Sequence, residues 1–146
     1  MGQPPVPASA FTATVERAVD GDTFIAVRAG RRLRVRLIGV DAPESVKEGA
    51  PVGCFGPESS SHLHGLLRPG VLVRAAYEPG GRTDQFGREL WDVWLPDGRF
   101  VQADLVSGGF ARAHAYRPQH DHAAYLARLQ RSAQAAHAGL WSACPT

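Results

Sequence analysis

Apolar and polar residues alternate along three consecutive stretches in the first third of the chain. Alternation with a period of two predicts β-strands that bury one face. The strands are predicted at residues 12–19, 22–28 and 31–40, separated by the turn dipeptides Asp-Gly and Ala-Gly. In the third strand, Leu33, Val35 and Leu37 alternate with arginines. We therefore expect these three side chains to face the core and the arginines to face the opposite side.

Helical and strand patterns alternate in the rest of the chain. Two more strands are predicted at 70–78 and 88–95. Helices are predicted at 56–67, at 102–109, and from residue 120 to just before Gly139, because apolar residues recur at helical spacing or glycine marks the end. Together these elements predict an α+β fold, a five-stranded OB-fold β-barrel with three helices packed on it. Residues 1–10, with three prolines, are expected to form a flexible N-terminal arm, and residues 11–146 a single domain.

Composition adds only broad limits to this picture. A chain of 146 residues with 44% hydrophobic and 21% charged residues is typical of one globular domain with a real core. A net charge of +2 is compatible with a polyanionic partner but does not identify one. No apolar run approaches the roughly 20 residues that cross a bilayer, so we expect no membrane association. The first residues show no secretion signal.

The chain has two cysteines, Cys54 and Cys144. Neither belongs to a C-x-x-C pair or has a histidine at zinc-binding spacing, which argues against a zinc site. They are either two separate buried thiols or one disulfide that connects a mid-chain loop to the C-terminus. We favour the disulfide, which would imply an oxidising compartment.

Three acidic residues lie at the ends of the second and third strands. Asp22 begins one strand, Asp41 ends the next, and Glu44 follows three residues later. Antiparallel pairing of these strands would bring the three carboxylates together, where they would repel one another unless a cation neutralised them. Carboxylate and backbone oxygens suit a hard ion such as Ca²⁺. For any one of these acids, a role in forming a turn is the simpler interpretation. That interpretation is weaker for three acids that one strand pairing brings together.

Two arginines complete a candidate catalytic set. Arg36 lies on the third strand, five residues before Asp41, and Arg88 begins the last strand. A guanidinium group can bind two phosphate oxygens at once, and two such groups can neutralise charge that develops on a phosphoryl group. A metal, two arginines and a carboxylate that accepts a proton from water are the parts needed to hydrolyse a phosphodiester.

Five short motifs then connect the sequence to a known family. In order along the chain, they are "AVDGDTF", "RLIGVDAPE", "FGPESSS", "RTDQFGREL" and "GLWS". This series resembles the staphylococcal nuclease (thermonuclease) family over nearly the whole chain. The resemblance implies an OB-fold nuclease domain with three helices, which hydrolyses DNA and RNA with Ca²⁺ and leaves 3′-phosphate ends.

The resemblance also assigns roles to single residues. It implies calcium binding by Asp22, Asp41 and the main-chain carbonyl of Ala42, and catalysis by Glu44, Arg36 and Arg88. We expect Asp20 and Thr23 to orient the loop and the metal ligands. Secreted bacterial relatives carry cysteines before "FGPE" and after "GLW", so the resemblance supports a bridge between Cys54 and Cys144.

The nucleotide-binding positions depart from the family pattern. Phe86 stands where a tyrosine is common, so stacking is retained and a hydroxyl is lost. Tyr116 aligns with one of the family's pocket tyrosines, with His114 expected in place of a second. We expect weaker nucleotide binding but no loss of chemistry.

The prediction is therefore a secreted or periplasmic, monomeric Ca²⁺-dependent nuclease that prefers single-stranded DNA or RNA. One alternative is a catalytically silent OB-fold module that only binds nucleic acid or protein. Another is a structural calcium-binding domain. The histidines of "HDH" at 120–122 are interpreted as the solvated start of the last helix, because residues two apart on a helix do not face the same way.

Overall fold

Five strands form the closed barrel that the sequence predicts. The computed structural model describes residues 3–45, 52–115 and 121–145. The barrel strands are β1 (Phe11–Ala18), β2 (Thr23–Arg28), β3 (Arg31–Leu37), β5 (Leu72–Ala76) and β6 (Glu89–Trp94). They close in the order β1-β2-β3-β6-β5, and β3 pairs with β6 in parallel while the other neighbours are antiparallel. A small second sheet pairs β4 (Val40–Asp41) with β7 (Arg112–Ala113).

Three substantial helices and one short helix pack on the barrel. They are α1 (Gly56–Leu66), α2 (Val101–Ser107), α3 (Ala123–Ala135) and α4 (Leu140–Ala143). The core is filled by large side chains that alternate inward from the strands and by the apolar face of α2; Trp91, Trp94, Phe24 and Phe100 are among its fully buried members. This burial supplies most of the stabilisation of the fold. The predicted fold class, an OB-type barrel with three helices, is confirmed.

The third strand is shorter than predicted, and the reason bears on the site. β3 ends at Leu37, and Gly39 adopts a left-handed φ of 81° in the turn that follows. Glycine accepts this conformation without steric cost. The chain then continues as β4 in a different sheet, where Asp41 pairs with Arg112. The turn at Gly39 therefore redirects the backbone just before the predicted site residues.

The N-terminal segment lies against the barrel from residue 3 onward. The Gln3 side chain bonds to the backbone of Gly98 and Phe100, and the indole Nε1 of Trp94 donates to the Pro4 carbonyl at 3.0 Å. The flexibility of residues 1–10 stays a prediction. Among the described residues, the helices are all too short or too polar to reach across a bilayer.

The two cysteines meet where the segment before α1 approaches the C-terminus. Their sulfur atoms are at bonding distance, 2.09 Å, with Cα atoms 5.8 Å apart. The predicted pairing of a mid-chain loop with the C-terminus is therefore compatible with the fold. The segment around Cys54 also contacts the backbone of a predicted site residue, Glu44.

Candidate active site

One open cavity gathers nearly all the predicted site residues. The antiparallel register of β2 and β3 places Thr23 opposite Arg36, and the Leu37 amide donates to the Asp22 carbonyl at 3.0 Å. The start of β2 and the end of β3 are therefore adjacent, as the hairpin predicts. The cavity has a volume of about 490 Å³ and is lined, among others, by Asp20, Asp22, Thr23, Arg36, Asp41, Ala42, Glu44, Phe86 and Arg88.

Asp22 is a buried carboxylate at the base of this cavity, with only 7% of its surface exposed. Its Oδ2 accepts the Ala42 amide at 2.8 Å, and its Oδ1 accepts the Thr23 hydroxyl at 3.0 Å. Burial raises the pKa of Asp22, although the Arg36 charge and these two hydrogen bonds oppose the shift. A cation beside Asp22 would offset the cost of keeping this group ionised.

Arg36 is buried, unlike the two arginines before it on the same face of β3. Arg32 and Arg34 are exposed, but Arg36 is only 6% exposed. Its Nη1 donates to the carbonyls of Leu37 and Val40, both at 2.8 Å. The turn after β3 folds back over this side chain and supplies those acceptors. Alternation predicts the direction of the side chain correctly, but it cannot show that another part of the chain covers it.

The Arg36 guanidinium also bridges the two aspartates. Its Nη2 lies 3.3 Å from Asp22 Oδ2 and 3.3 Å from Asp41 Oδ1. The two carboxylates are therefore separated by at most twice that distance. The Asp41 side chain is 58% exposed at the mouth of the cavity, and Ala42 follows it directly. Two carboxylates, one of them destabilised by burial, form an oxygen donor set that fits a hard divalent cation.

Glu44 is positioned by two glycines in the segment that leads into α1. The Gly53 amide donates to the Glu44 carbonyl at 2.8 Å. A Cβ atom built on Gly56 would lie 2.1 Å from that same carbonyl oxygen, so this close approach is open only to glycine. The "FGPE" motif contains Gly56, but sequence reasoning found only the helix start and missed its contact with the Glu44 backbone.

Asp20 connects the β1–β2 turn to the loop that carries Glu44. Its Oδ1 accepts the Gly21 amide at 2.7 Å and the hydroxyl of buried Ser45. Gly21 also packs closely, since a Cβ atom there would lie 2.7 Å from the Ala42 Cβ. These contacts are compatible with the predicted orienting role of Asp20. Ser45 was not predicted, and a lone serine after Glu44 carries no sequence pattern that could identify it.

Arg88 is held in place by Asp84, which sequence reasoning also missed. Arg88 Nε donates to Asp84 Oδ2 at 2.7 Å, and Asp84 Oδ1 accepts the backbone amides of Phe86 and Arg88. Burial alone would raise the pKa of Asp84, but the bonds from Arg88 and Phe86 together lower it. The indication of this turn in the sequence was the spacing of four residues between Asp84 and Arg88 inside "RTDQFGREL".

Phe86 projects from this turn at the edge of the cavity. The residue is 68% exposed, and its ring centroid lies 5.5 Å from the Arg88 Cζ. An exposed ring beside a guanidinium group is a suitable surface for stacking a base. Tyr116, the other predicted substrate contact, lies outside the described residues. His114 is exposed, and its amide bonds to the Gly39 carbonyl at 2.8 Å.

Replacing Asp84 with asparagine should lower kcat roughly 10- to 100-fold, because a hydrogen bond to a charged group contributes about 1.5–3 kcal/mol. Arg88 would keep its charge but lose its fixed position. The matched control is Asp97→Asn, which removes a similar contact to Arg99, 2.9 Å long, on an exposed turn. Equal steady-state rates of nucleic acid cleavage in the two variants would contradict a positioning role for Asp84.

The lowered pKa of Asp84 also sets the pH range of this contact. The native state releases the proton more readily than the unfolded chain, so the ion pair stabilises the fold at pH values above the ordinary aspartate pKa of about 4. That contribution is lost as the pH falls through the lowered native pKa. The free energies of unfolding of the parent and of Asp84→Asn, measured as a function of pH, should therefore differ less at low pH than at neutral pH.

Comparisons with known proteins agree with the resemblance in the sequence. The family described as "Staphylococcal nuclease homologue" matches residues 34–143. The chain is 37% identical to a thermonuclease of Staphylococcus hyicus over 131 residues, which is 90% of this chain and 76% of that protein. It is 38% identical to a thermonuclease of Staphylococcus intermedius over 87% of this chain and 74% of the relative. It is also 32% identical to the endonuclease YncB of Bacillus subtilis over 88% of this chain and 61% of the relative.

Proposed function

The chain belongs to the staphylococcal nuclease family, and we propose that it is a Ca²⁺-dependent nuclease that hydrolyses DNA and RNA and leaves 3′-phosphate ends. Membership of the family supports nuclease activity. The observation that carries the finer proposal is the single cavity lined by Asp22, Asp41, Glu44, Arg36 and Arg88. A module that only binds nucleic acid would not require this combination of carboxylates and guanidinium groups.

The proposed metal ligands are Asp22, Asp41 and the carbonyl of Ala42. The fit is supported by the burial of Asp22, which raises the pKa of this carboxyl group, so that a bound cation would favour its ionised form. When bound, Ca²⁺ would supply positive charge that stabilises the phosphate as negative charge develops on it. Thr23 and the Ala42 amide hold the Asp22 carboxylate in a fixed orientation for this purpose.

Glu44 is proposed to act on the attacking water. Its carboxylate accepts one proton while the water oxygen forms a bond to phosphorus, and the bond between phosphorus and the 5′ oxygen breaks. The leaving 5′ oxygen takes up a proton, and the phosphate remains on the 3′ side. Gly53 and Gly56 hold the Glu44 backbone against the start of α1, which reduces the freedom of this side chain.

Arg36 and Arg88 are proposed to bind the non-bridging oxygens as the phosphorus becomes five-coordinate. The two contacts of Arg36 Nη2 with the aspartates, both 3.3 Å, are longer than the 2.7–2.9 Å of strong charge-assisted bonds. We therefore propose that the Nη2 end of Arg36 is the part that contacts a phosphate oxygen. The Nε of Arg88 donates to Asp84, so its terminal nitrogens are the groups that would donate to a phosphate.

The substrate is proposed to be single-stranded nucleic acid bound by a monomer. A second cavity of about 310 Å³ adjoins the first and shares Arg36 and Arg88 with it, lined also by Ile38 and Leu90. A base can enter this cavity or stack on Phe86 only when it is not stacked within a duplex. Tyr116 is retained as a proposed contact to the nucleotide.

The direct test is incubation with denatured DNA in Ca²⁺, with and without EDTA. We expect cleavage with Ca²⁺, none with the chelator, and recovery when Ca²⁺ is restored. The new ends should carry 3′-phosphates, so that a phosphatase must act before a polymerase can extend them. Binding without cleavage would instead favour the silent module, and a Ca²⁺-dependent rise in Tm without turnover would favour a structural calcium domain.

We also infer that Cys54 and Cys144 form a disulfide and that the protein works outside the cytoplasm. The bridge would close a loop with a sequence separation of 90 residues. Replacing both cysteines with serine should lower the free energy of unfolding by about 2–5 kcal/mol. Cys54 lies between Gly53 and Gly56, which contact Glu44, so kcat should also fall.

This prediction is checked by urea unfolding and by the mass of the protein under non-reducing conditions. Dithiothreitol should reproduce the effect of the double variant in the parent and have no effect on the variant itself. Two free thiols in parent protein from an oxidising host would contradict the bridge.

A further inference from the structure

A second group of side chains that could hold a metal ion shares no residue with the cavity of Asp22 and Asp41. Glu78 follows β5, Asp92 lies on β6, and His122 directly precedes α3. One ligand atom from each residue lies within 4.8 Å of the others. The antiparallel pairing of β5 and β6, in which Ala76 lies opposite Asp92, brings Glu78 near Asp92, and the start of α3 adds His122.

The two carboxylates of this group are buried, unlike ordinary surface acids, and His122 is partly exposed. Asp92 is only 2% exposed and Glu78 is also buried. Asp92 Oδ2 lies 3.5 Å from His122 Nε2, and Glu78 Oε1 accepts the Asp121 amide at 2.8 Å. Burial, and then the neighbouring Glu78, raise the pKa of Asp92 to about 10. Two buried carboxylates this close repel each other when both are ionised, so a proton or a cation between them is favoured.

His122 is oriented by aromatic side chains and not by solvent. Its ring packs against Phe100 at a centroid distance of 5.0 Å and edge-on to Trp94 at 6.2 Å. The last helix starts directly after "HDH", as predicted, but the His122 ring is only partly exposed, and His120 lies outside the described residues. Helical spacing could not show that His122 approaches Asp92 on another element.

A small cavity lies beside Asp92 and His122, whereas Glu78 lines the larger cavity that contains Arg36 and Arg88. The small cavity has a volume of about 140 Å³, and Asp92, Asp121 and His122 line it together with Pro5 and Pro7 of the N-terminal segment. A few water molecules fit in this volume, and the polar side chains offer them partners. Two of the three candidate ligands, Asp92 and His122, therefore line a cavity that the N-terminal segment covers.

We propose that Glu78, Asp92 and His122 form a second metal site for a divalent first-row transition ion such as Zn²⁺ or Mn²⁺. Two carboxylate oxygens and one imidazole nitrogen are a donor set that suits these ions. Ca²⁺ instead requires six to eight oxygen ligands, so it is a poor occupant here. The bound ion would connect β5 and β6 to the start of α3, and through Glu78 it would brace the loop that leads to Asp84.

The test is calorimetric titration of EDTA-stripped protein with Zn²⁺ in excess Ca²⁺, with Co²⁺ as a spectroscopic probe of the same site. We expect one Zn²⁺ per chain in the parent. Binding should be at least about tenfold weaker in His122→Gln and Asp92→Asn, because each loses a ligand. His64→Gln is the matched control, since His64 is exposed on α1 and should leave binding unchanged.

A third variant separates this site from the nuclease site. Asp41→Asn should weaken Ca²⁺ binding and leave the Zn²⁺ affinity and the Co²⁺ spectrum as in the parent. Zn²⁺ binding that is lost in Asp41→Asn, or that persists unchanged in His122→Gln, would overturn the proposal, as would no binding to the parent. If Asp92→Asn does not fold, His122→Gln decides alone, because its partly exposed ring is not needed to fill the core.

Discussion

Replacing Glu44 with glutamine is expected to lower kcat for hydrolysis of denatured DNA by about 10²- to 10⁴-fold. Glutamine has nearly the same shape but cannot accept the proton of the attacking water. The backbone contacts of Glu44 with Gly53 and Gly56 do not involve the side chain, so the loop should keep its position. KM should therefore change little, and the loss should appear in single-turnover rates at saturating Ca²⁺.

The control for this prediction is Glu58→Gln. Glu58 lies on α1, a short distance along the chain, and is exposed. Its replacement removes the same charge from the protein without touching the cavity, so both rate and KM should match the parent. If Glu44→Gln cleaved as fast as Glu58→Gln, the role assigned to Glu44 would be wrong even if the protein is a nuclease.

The second large effect is expected for Arg36→Lys, which should lower kcat by about 10²- to 10³-fold. Lysine keeps the positive charge but not the planar fork that binds two phosphate oxygens. It also cannot reach the Leu37 and Val40 carbonyls and the two aspartates at the same time, as the guanidinium does. The loss should therefore exceed what removal of a single hydrogen bond would cause.

Arg34→Lys is the matched control on the same strand. Arg34 also lines the cavity but is exposed, and the same substitution there should change kcat by less than about twofold. Rates should be measured well below the Tm of each variant, so that a loss of stability in Arg36→Lys is not mistaken for a loss of catalysis. Equal rates for the two lysine variants would exclude Arg36 as a phosphate ligand.

The fold was largely predictable because the strands of its barrel follow local patterns of apolar and polar residues. Alternating residues marked β1, β2 and β3, and glycine or proline marked most of their ends. The hairpin of β2 and β3 then placed Asp22 near Asp41 from the sequence alone, since the register of a short hairpin leaves little freedom. The break at Gly39 was not predicted, because a glycine in a strand does not reveal whether its φ is positive.

The supporting residues of the site were the least predictable. Ser45 acts through a contact with another side chain and belongs to no pattern that a single sequence displays, and Asp84 was indicated only by its four-residue spacing from Arg88. Gly56 could be recognised as a helix start, but the contact of its backbone with Glu44 depends on the path of a separate loop. The same holds for Asp92 and His122, whose approach requires β6 and α3 to pack together.

The sequence by itself determined the five barrel strands and the three main helices, the family, and the set of charged residues at the ends of β2 and β3. These follow from periodicity and motifs, which act over a few neighbouring residues. Only the tertiary structure decided which charges are buried: Arg36 under its turn, Asp22 at the base of the cavity, and Asp92 against Glu78. Burial depends on which distant segments cover a side chain when the barrel closes. It raises the pKa of Asp22 and Asp92, which is why these two carboxylates are the ones proposed to bind a cation.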